Sequence, residues 1–308
     1  MKTIEALKTP WTDNLSASTE PNPASLREHL LEVHRRNPGF TESCALKCRD
    51  ANGQSTYDWL AAIPEQQGEQ DTGKKNGQNP ENRILDLACG SGLLLEKCRD
   101  RFAGARLYGV DMSEAELGLA RRRLQGRDVS LIQGVAQDLC FAQDNAFDTI
   151  LCHWALTLMD PIEPVFSEIA RTLRAGGVFA AIVDGDPAMA PGYQAIDETV
   201  FGYVKAELPA YGDRDLGDPR TRNPDALLDL ARTHLPDADI TIHPATVALS
   251  GPADRLAAEA VGFFYAAFVL PTARRQALIE DVAKCLATLT PGDEATFTMP
   301  VGMLTARI

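Results

Sequence analysis

The chain has 308 residues, enough for one large domain or two small ones. A hydrophobic share of 44% and a charged share of 24% are those of an ordinary globular protein, while a formal net charge of -13 argues against nucleic acid as a substrate, because phosphates call for a basic surface. No apolar run reaches membrane-spanning length, the N-terminus lacks the apolar segment of a secretory leader, and seven scattered cysteines form no disulfide framework, so a cytoplasmic protein with no membrane partner is expected.

In chain order, residues 1–24 are polar, with Pro10, Pro21 and Pro23, and read as a loose arm. Leu26, Leu30, Leu31 and Val33 give helical spacing from Ser25 to Arg36, stopped by Asn37-Pro38-Gly39. Further helices are expected over 41–49 and 56–63, the latter closed by Pro64. Together, residues 1–64 form an N-terminal arm and helical cap. Residues 65–82, rich in Gln, Gly, Asn and charge, read as a flexible linker. From 83 to 308 a core alternates strands (83–87, 106–110, 129–133, 147–152, 178–183) with helices (91–102, 113–125, 161–174). That alternation predicts an α/β fold with a parallel sheet covered on both faces. Two helices, near 197–208 and 224–235, fall in an insertion spanning about 185–236. The chain closes with a strand near 239–249, helices near 252–268 and 272–289, and a strand near 295–307.

The stretch Ile84-Leu85-Asp86-Leu87-Ala88-Cys89-Gly90-Ser91-Gly92 reads as a buried strand running into a glycine-rich turn and a helix, with Asp111 ending the next strand where an acid meets a ribose. Asp86 would repel a pyrophosphate and suit an amino group or a sulfonium. Leu95 replaces the third glycine of the dinucleotide fingerprint, so a dinucleotide oxidoreductase is disfavoured.

The pattern Asp86-x-Ala88-x-Gly90-x-Gly92 instead resembles motif I of the class I S-adenosylmethionine-dependent methyltransferases. The resemblance continues in order through Tyr108–Ser113, Gly134–Leu139, Phe147–Cys152 and Leu173–Val178, covering roughly residues 83 to 184. Ala175 replaces the family's usual proline, and Val135 stands where an acid often faces the adenine amine. The resemblance implies a Rossmann-like, doubly wound, mostly parallel seven-stranded sheet with a reversed last strand, and S-adenosyl-L-methionine as cofactor. It places Asp86 by the methionine amino group, directly or through water, and the glycines against the cofactor. Asp111 would meet the ribose hydroxyls and Met112 one face of the adenine. Ala88, Ala136, Gln137 and Cys152 complete the cofactor residues, with Gln137, Asp138 or water meeting the adenine amine. Asp86 has a competing role as an N-terminal helix cap.

Ligands of such sheets bind at the carboxyl ends of the strands, so the acceptor belongs near the ends of strands four and five. His153 is the candidate catalytic residue, either as proton acceptor or as a group that orients the acceptor. Tyr57 lies in a segment that resembles the "YD-x-x-A" stretch of small-molecule methyltransferases. With Trp154, Asp184, Tyr193 and Tyr203, it makes up the candidate substrate residues. Trp154 is equally readable as core, and Phe263, Phe264 and Tyr265 more readily so. Asp184, Asp186 and the acids of 213–218 hint at a cationic acceptor. No metal is expected: the spacings of His29, His34, Cys44 and Cys48 do not suit zinc. Arg121-Arg122-Arg123 reads as a solvated face. The leading function is methyl transfer to a small molecule, an amino acid or specialised metabolite, with a homodimer allowed. A quinone-type C-methyltransferase and a non-catalytic cofactor-binding partner subunit are the alternatives.

Overall fold

The computed structural model describes residues 6–17, 19, 21–72, 82–190, 192–213, 216–289 and 294–308. Its secondary structure runs α1 (Pro10–Ser16), α2 (Pro23–Arg36), α3 (Phe40–Lys47), α4 (Thr56–Thr72), β1 (Arg83–Leu87), α5 (Leu93–Arg101), β2 (Arg106–Asp111), α6 (Glu114–Arg123), β3 (Val129–Gln133), β4 (Phe147–His153), α7 (Glu163–Thr172), β5 (Leu173–Asp184), α8 (Tyr193–Glu207), α9 (Pro224–His234), β6 (Asp239–Gly251), α10 (Ala253–Phe263), α11 (Thr272–Leu289) and β7 (Ala295–Arg307). The seven strands form one sheet in the order β3-β2-β1-β4-β5-β7-β6. Strands β1 to β5 pair in parallel, and β7 runs antiparallel to β5. This is the α/β fold that the alternation predicted, in the Rossmann-like, seven-stranded form that the resemblance implied.

The chain divides into two compact units. The sheet unit comprises Gln54–Gly185, Gly217–Ala245 and Val301–Ile308; the helical unit comprises Met1–Gly53, Asp186–Leu216 and Thr246–Pro300. Helix α4 therefore groups with the sheet rather than with the N-terminal helices.

Within the sheet unit the pleat sorts side chains by face. Leu85, Leu87, Ile150, Cys152, Phe179 and Ala181 join Val165, Phe166 and Ile169 of α7 and Leu227, Leu230 and Ala231 of α9 in one buried cluster. The alternate residues Ile84, Asp86, Leu151 and His153 turn to the other face. On α7 the apolar residues recur at i, i+1 and i+4, which gives one stripe for the sheet. Asn223 caps α9 by accepting from the Ala226 N–H at 3.0 Å, and Pro224 opens the helix at a position that needs no donor.

Three local expectations are corrected. Helix α4 does not stop at Pro64. Leu60, Ala61 and Ile63 are buried on it, and the Glu- and Gln-rich residues that follow are good helix formers, which offsets the hydrogen bond that proline removes. The supposed linker is thus helical through Thr72, while 73–81 lie outside the described residues. The loose arm contains α1, whose cap is a reciprocal pair: Thr9 Oγ1 accepts from the Thr12 N–H, and Thr12 Oγ1 accepts from the Thr9 N–H. Strand β5 begins at Leu173, five residues early. Its pairing shifts from Phe147↔Leu173 to Thr149↔Val178, so the expected Gly176-Gly177 turn survives as a bulge inside the strand, with Gly176 at φ +75°.

Candidate active site

The end of β1 and the loop after it build the first half of the site. Leu87 is followed by Ala88, Gly90 and Gly92, all with positive φ (60°, 51° and 79°). The alanine costs about 1–2 kcal/mol in that region, which glycine would avoid. The loop is closed by Cys89 N–H to Val110 O (3.0 Å) and Gly92 N–H to Cys89 O (2.9 Å). Gly109 on β2 makes room for it: a Cβ there would lie 2.6 Å from Leu95 Cδ1 and 2.8 Å from Cys89 Sγ. Arg123, the last of the three arginines read as solvated, instead donates to Ser91 O (3.1 Å) and Ser91 Oγ (2.7 Å), which ties α6 to the loop. Arg121 keeps to the surface with Glu114.

Asp86 is 2% exposed, and its carboxylate accepts no hydrogen bond from a described residue; the buried oxygen Oδ1 is an orphan. Burial first, and the nearby Asp111 second, push its pKa well above the usual carboxylate range. It does not cap α5, whose N-cap is Gly92 with no side-chain bond. Asp111 ends β2 with both oxygens engaged: Oδ2 accepts from Gly90 N–H and Oδ1 from Ser113 N–H, each at 2.8 Å. Asp111 thus fixes the loop to the start of α6, where Ser113 Oγ accepts from the Glu116 N–H.

The remaining residues of this half are less polar. Met112 is half-buried, and its carbonyl accepts from Gln133 Nε2 at 3.4 Å. Ala136 is buried, and Gln137 spends its amide on Pro161 O at 3.3 Å. Cys152 points into the core cluster on the face opposite Asp86, and burial pushes its thiol up to about 12.

The second half stands at the ends of β4 and β5. Leu151 pairs with Asp86, so His153 lies one pleat further along the same face. The first turn of α4 covers it. Asp58 accepts from Ser55 N–H (2.9 Å) and Ser55 Oγ (2.7 Å) and pairs with Lys97 (2.6 Å), fixing the start of that helix. Thr56 Oγ1 then lies 2.9 Å from His153 Nε2, and the Tyr57 ring stacks on the imidazole with centroids 3.6 Å apart. Desolvation lowers the His153 pKa to about 3, so the ring is neutral at physiological pH. Trp154 follows at φ 54°, its N–H bonded to Ile182 O at 3.1 Å. Asp184 lies 3.5 Å from Arg222 Nε, and the buried Arg222 Nη1 has no hydrogen-bond partner among the described residues.

Thr56, Lys97 and Arg222 were not singled out in the sequence, and Arg123 was read there only as part of a solvated face. Only Thr56 had a legible signal, since it precedes Tyr57 in the same segment. Tyr193 and Tyr203 belong to the helical unit. The Tyr193 ring stacks near Phe264 and Phe297, at 6.2 Å each, and Tyr203 donates to Asp281 (2.6 Å) under the Arg274 guanidinium. The acids that hinted at a cationic acceptor have other work: Asp186 and Asp218 each cap a short turn, Asp218 also binds Arg220, and Asp184 faces Arg222. The side chains of 212–215 lie outside the described residues.

Residues 85–181 match the family model described as a methyltransferase domain. The demethylmenaquinone methyltransferase of Symbiobacterium thermophilum is 36% identical over 135 residues, which is 42% of this chain and 52% of that protein. The ubiquinone biosynthesis O-methyltransferase of Aeromonas salmonicida is 32% identical over 108 residues, 34% of this chain and 44% of that protein. The chain thus spans about half the length of these relatives. Among solved structures, the YcgJ protein of Bacillus subtilis has a TM-score of 0.52 at 15% identity, covering 81% of this chain and 98% of that one, a likeness of fold. Residues 85–181, about a third of the chain, are thus the part that is similar to known methyltransferases.

Proposed function

We propose that this protein transfers a methyl group from S-adenosyl-L-methionine to a small-molecule acceptor. The observation that carries the reading is Asp86: a buried carboxylate with no hydrogen-bond partner among the described residues, at the end of β1, beside a loop of positive-φ residues. A buried charge of this kind is costly unless something answers it. The cofactor's ammonium group has the sign and the donors to do so. Asp111, at the end of β2 and bonded to the Gly90 N–H, would take the ribose hydroxyls, and Gly90 and Gly92 would allow close approach of the backbone. The cofactor supplies a methyl group already activated by a sulfonium charge.

What the chain must add is alignment and exclusion of water. His153 suits the first task. With a pKa lowered to about 3, it is a weak base but a fixed, neutral hydrogen-bonding ring, clamped by Thr56 and Tyr57. We therefore read it as the group that orients the acceptor. A quinone-type acceptor is the second reading, favoured by the quinone-pathway names of two relatives. Calorimetry with S-adenosyl-L-methionine tests the cofactor. Turnover with a panel of phenolic, quinol and amine acceptors tests the acceptor, and cofactor binding without label transfer to any of them would leave a non-catalytic binding subunit.

A further inference from the structure

The helical unit holds an arginine whose charge no described group answers. Arg275 lies on α11, with its guanidinium 4.5 Å from the centre of the Phe268 ring. It makes no hydrogen bond or ion pair through its side chain with a described residue. Burial pulls its pKa down, with no partner to raise it again. Arg275 is half-buried, and the cation–π contact returns only about 0.5–2 kcal/mol for the water its guanidinium gives up.

Arg275 lines an open pocket of 250 Å³ together with Phe40, Phe268, Ala258, Glu259 and Gly262, all in the helical unit. Phe40 and Phe268 meet edge to face with centroids 4.6 Å apart, which gives the pocket an aromatic wall. The carboxylate of Glu259 is already answered: it pairs with Lys47 and accepts from the Ser43 hydroxyl at 2.9 Å. Gly262 opens into free space, since a Cβ there would meet nothing within 4 Å. The pocket therefore offers one unanswered cation, two aromatic rings and room for a small body.

We propose that this pocket is a binding site for a small aromatic or apolar carboxylic acid, with the carboxylate on the Arg275 fork and the ring against Phe40 and Phe268. The guanidinium fork matches a carboxylate bidentately, and the charged hydrogen bonds are strong where water is partly excluded. The aromatic wall favours an acid that carries a ring over a bare inorganic anion. The site is independent of the methyl-transfer reading, because no described residue of the sheet unit lines it.

The test uses the full chain at low salt, titrated with benzoate and its neutral isostere benzamide and followed by amide NMR shifts. Saturable shifts on α3, α10 and α11 with benzoate, and binding at least about tenfold weaker with benzamide, are expected from a charge-assisted contact. Arg275→Gln should weaken benzoate similarly. Gly262→Leu fills the pocket from a position with free space around its Cβ, and should abolish binding while the protein stays folded. Absence of saturable shifts up to about 20 mM benzoate, too weak to count as a built site, overturns the proposal. So does equal binding of benzamide, unchanged binding in Gly262→Leu, or inorganic phosphate binding as tightly as benzoate.

Discussion

Replacing Asp86 by Asn separates a ligand-binding acid from a structural one, because the two roles predict opposite signs. Asp86 is buried, accepts no hydrogen bond from a described residue and has a pKa raised above 3.8. The folded state then holds a proton that the unfolded chain has released. Stability from this group is present below pH 3.8 and is lost as pH rises through the elevated folded value. At neutral pH the carboxylate is a net cost, so Asp86→Asn should leave the melting temperature unchanged or raise it, by about 2–4 °C for each kcal/mol relieved. Cofactor binding should move the other way. A charge-assisted hydrogen bond is worth about 1.5–3 kcal/mol, hence a loss of roughly 10- to 150-fold in affinity. Differential scanning fluorimetry and isothermal titration with S-adenosyl-L-methionine measure the two effects. A variant that melts several degrees lower yet binds the cofactor as tightly would refute the assignment and return Asp86 to a structural role.

Further expectations follow from the same geometry. Gly109→Ala brings a Cβ to 2.6 Å from Leu95 Cδ1 and 2.8 Å from Cys89 Sγ, and should cost about 1–3 kcal/mol in denaturant unfolding while weakening cofactor binding through the displaced loop. Asp111→Ala removes the acceptor of the Gly90 and Ser113 N–H groups, so both stability, by about 1–3 kcal/mol, and cofactor affinity should fall; unchanged affinity would remove the ribose role. For His153→Ala, turnover should drop by at least about tenfold with cofactor affinity intact, and the wild-type rate should show no histidine inflection between about pH 6 and 8. An inflection in that range that vanishes in the variant would restore a general-base role. His29 and His153 are buried with pKa values lowered to about 4 and about 3. The unfolded chain therefore binds their protons first, and stability falls as pH drops from 6.5. For His29 alone the loss should reach roughly 3 kcal/mol by about pH 4, and urea melts of His29→Gln should show a flatter acid limb.

Much of the sheet was legible because the core strands are apolar runs, with glycine directly after β3 and β5 and the Ser113 cap two residues after β2. Strands β1, β3 and β7 and helix α11 fall on the expected bounds. The misses have local causes. Helix α1 carries only Trp11 and Leu15 as an apolar repeat, too few for a periodic signal, and is held by a threonine pair. Pro64 is a strong stop in sequence, yet the packing of Leu60, Ala61 and Ile63 carries the helix through it. In the site, the order of the glycine loop, Asp111 and His153 along the chain was enough to place them on adjacent strands of one sheet. What sequence order does not encode is which long side chain reaches across. Arg123 left its expected surface for Ser91, Thr56 and Tyr57 came onto His153 from a separate helix, and Arg222 met Asp184 across 38 positions of chain. Face assignment also escaped the motif: Cys152 sits between two residues of the site face, and the pleat turns it into the core.

The most direct measurement is transfer itself. The protein is incubated with methyl-labelled S-adenosyl-L-methionine and a fractionated pool of small metabolites, and both products are counted. Label should appear in a small molecule with one S-adenosylhomocysteine formed per methyl moved, and the transfer should fall with Asp86→Asn. Neither binding of S-adenosyl-L-methionine nor transfer of label, or tight binding of a nicotinamide dinucleotide in its place, would contradict the account.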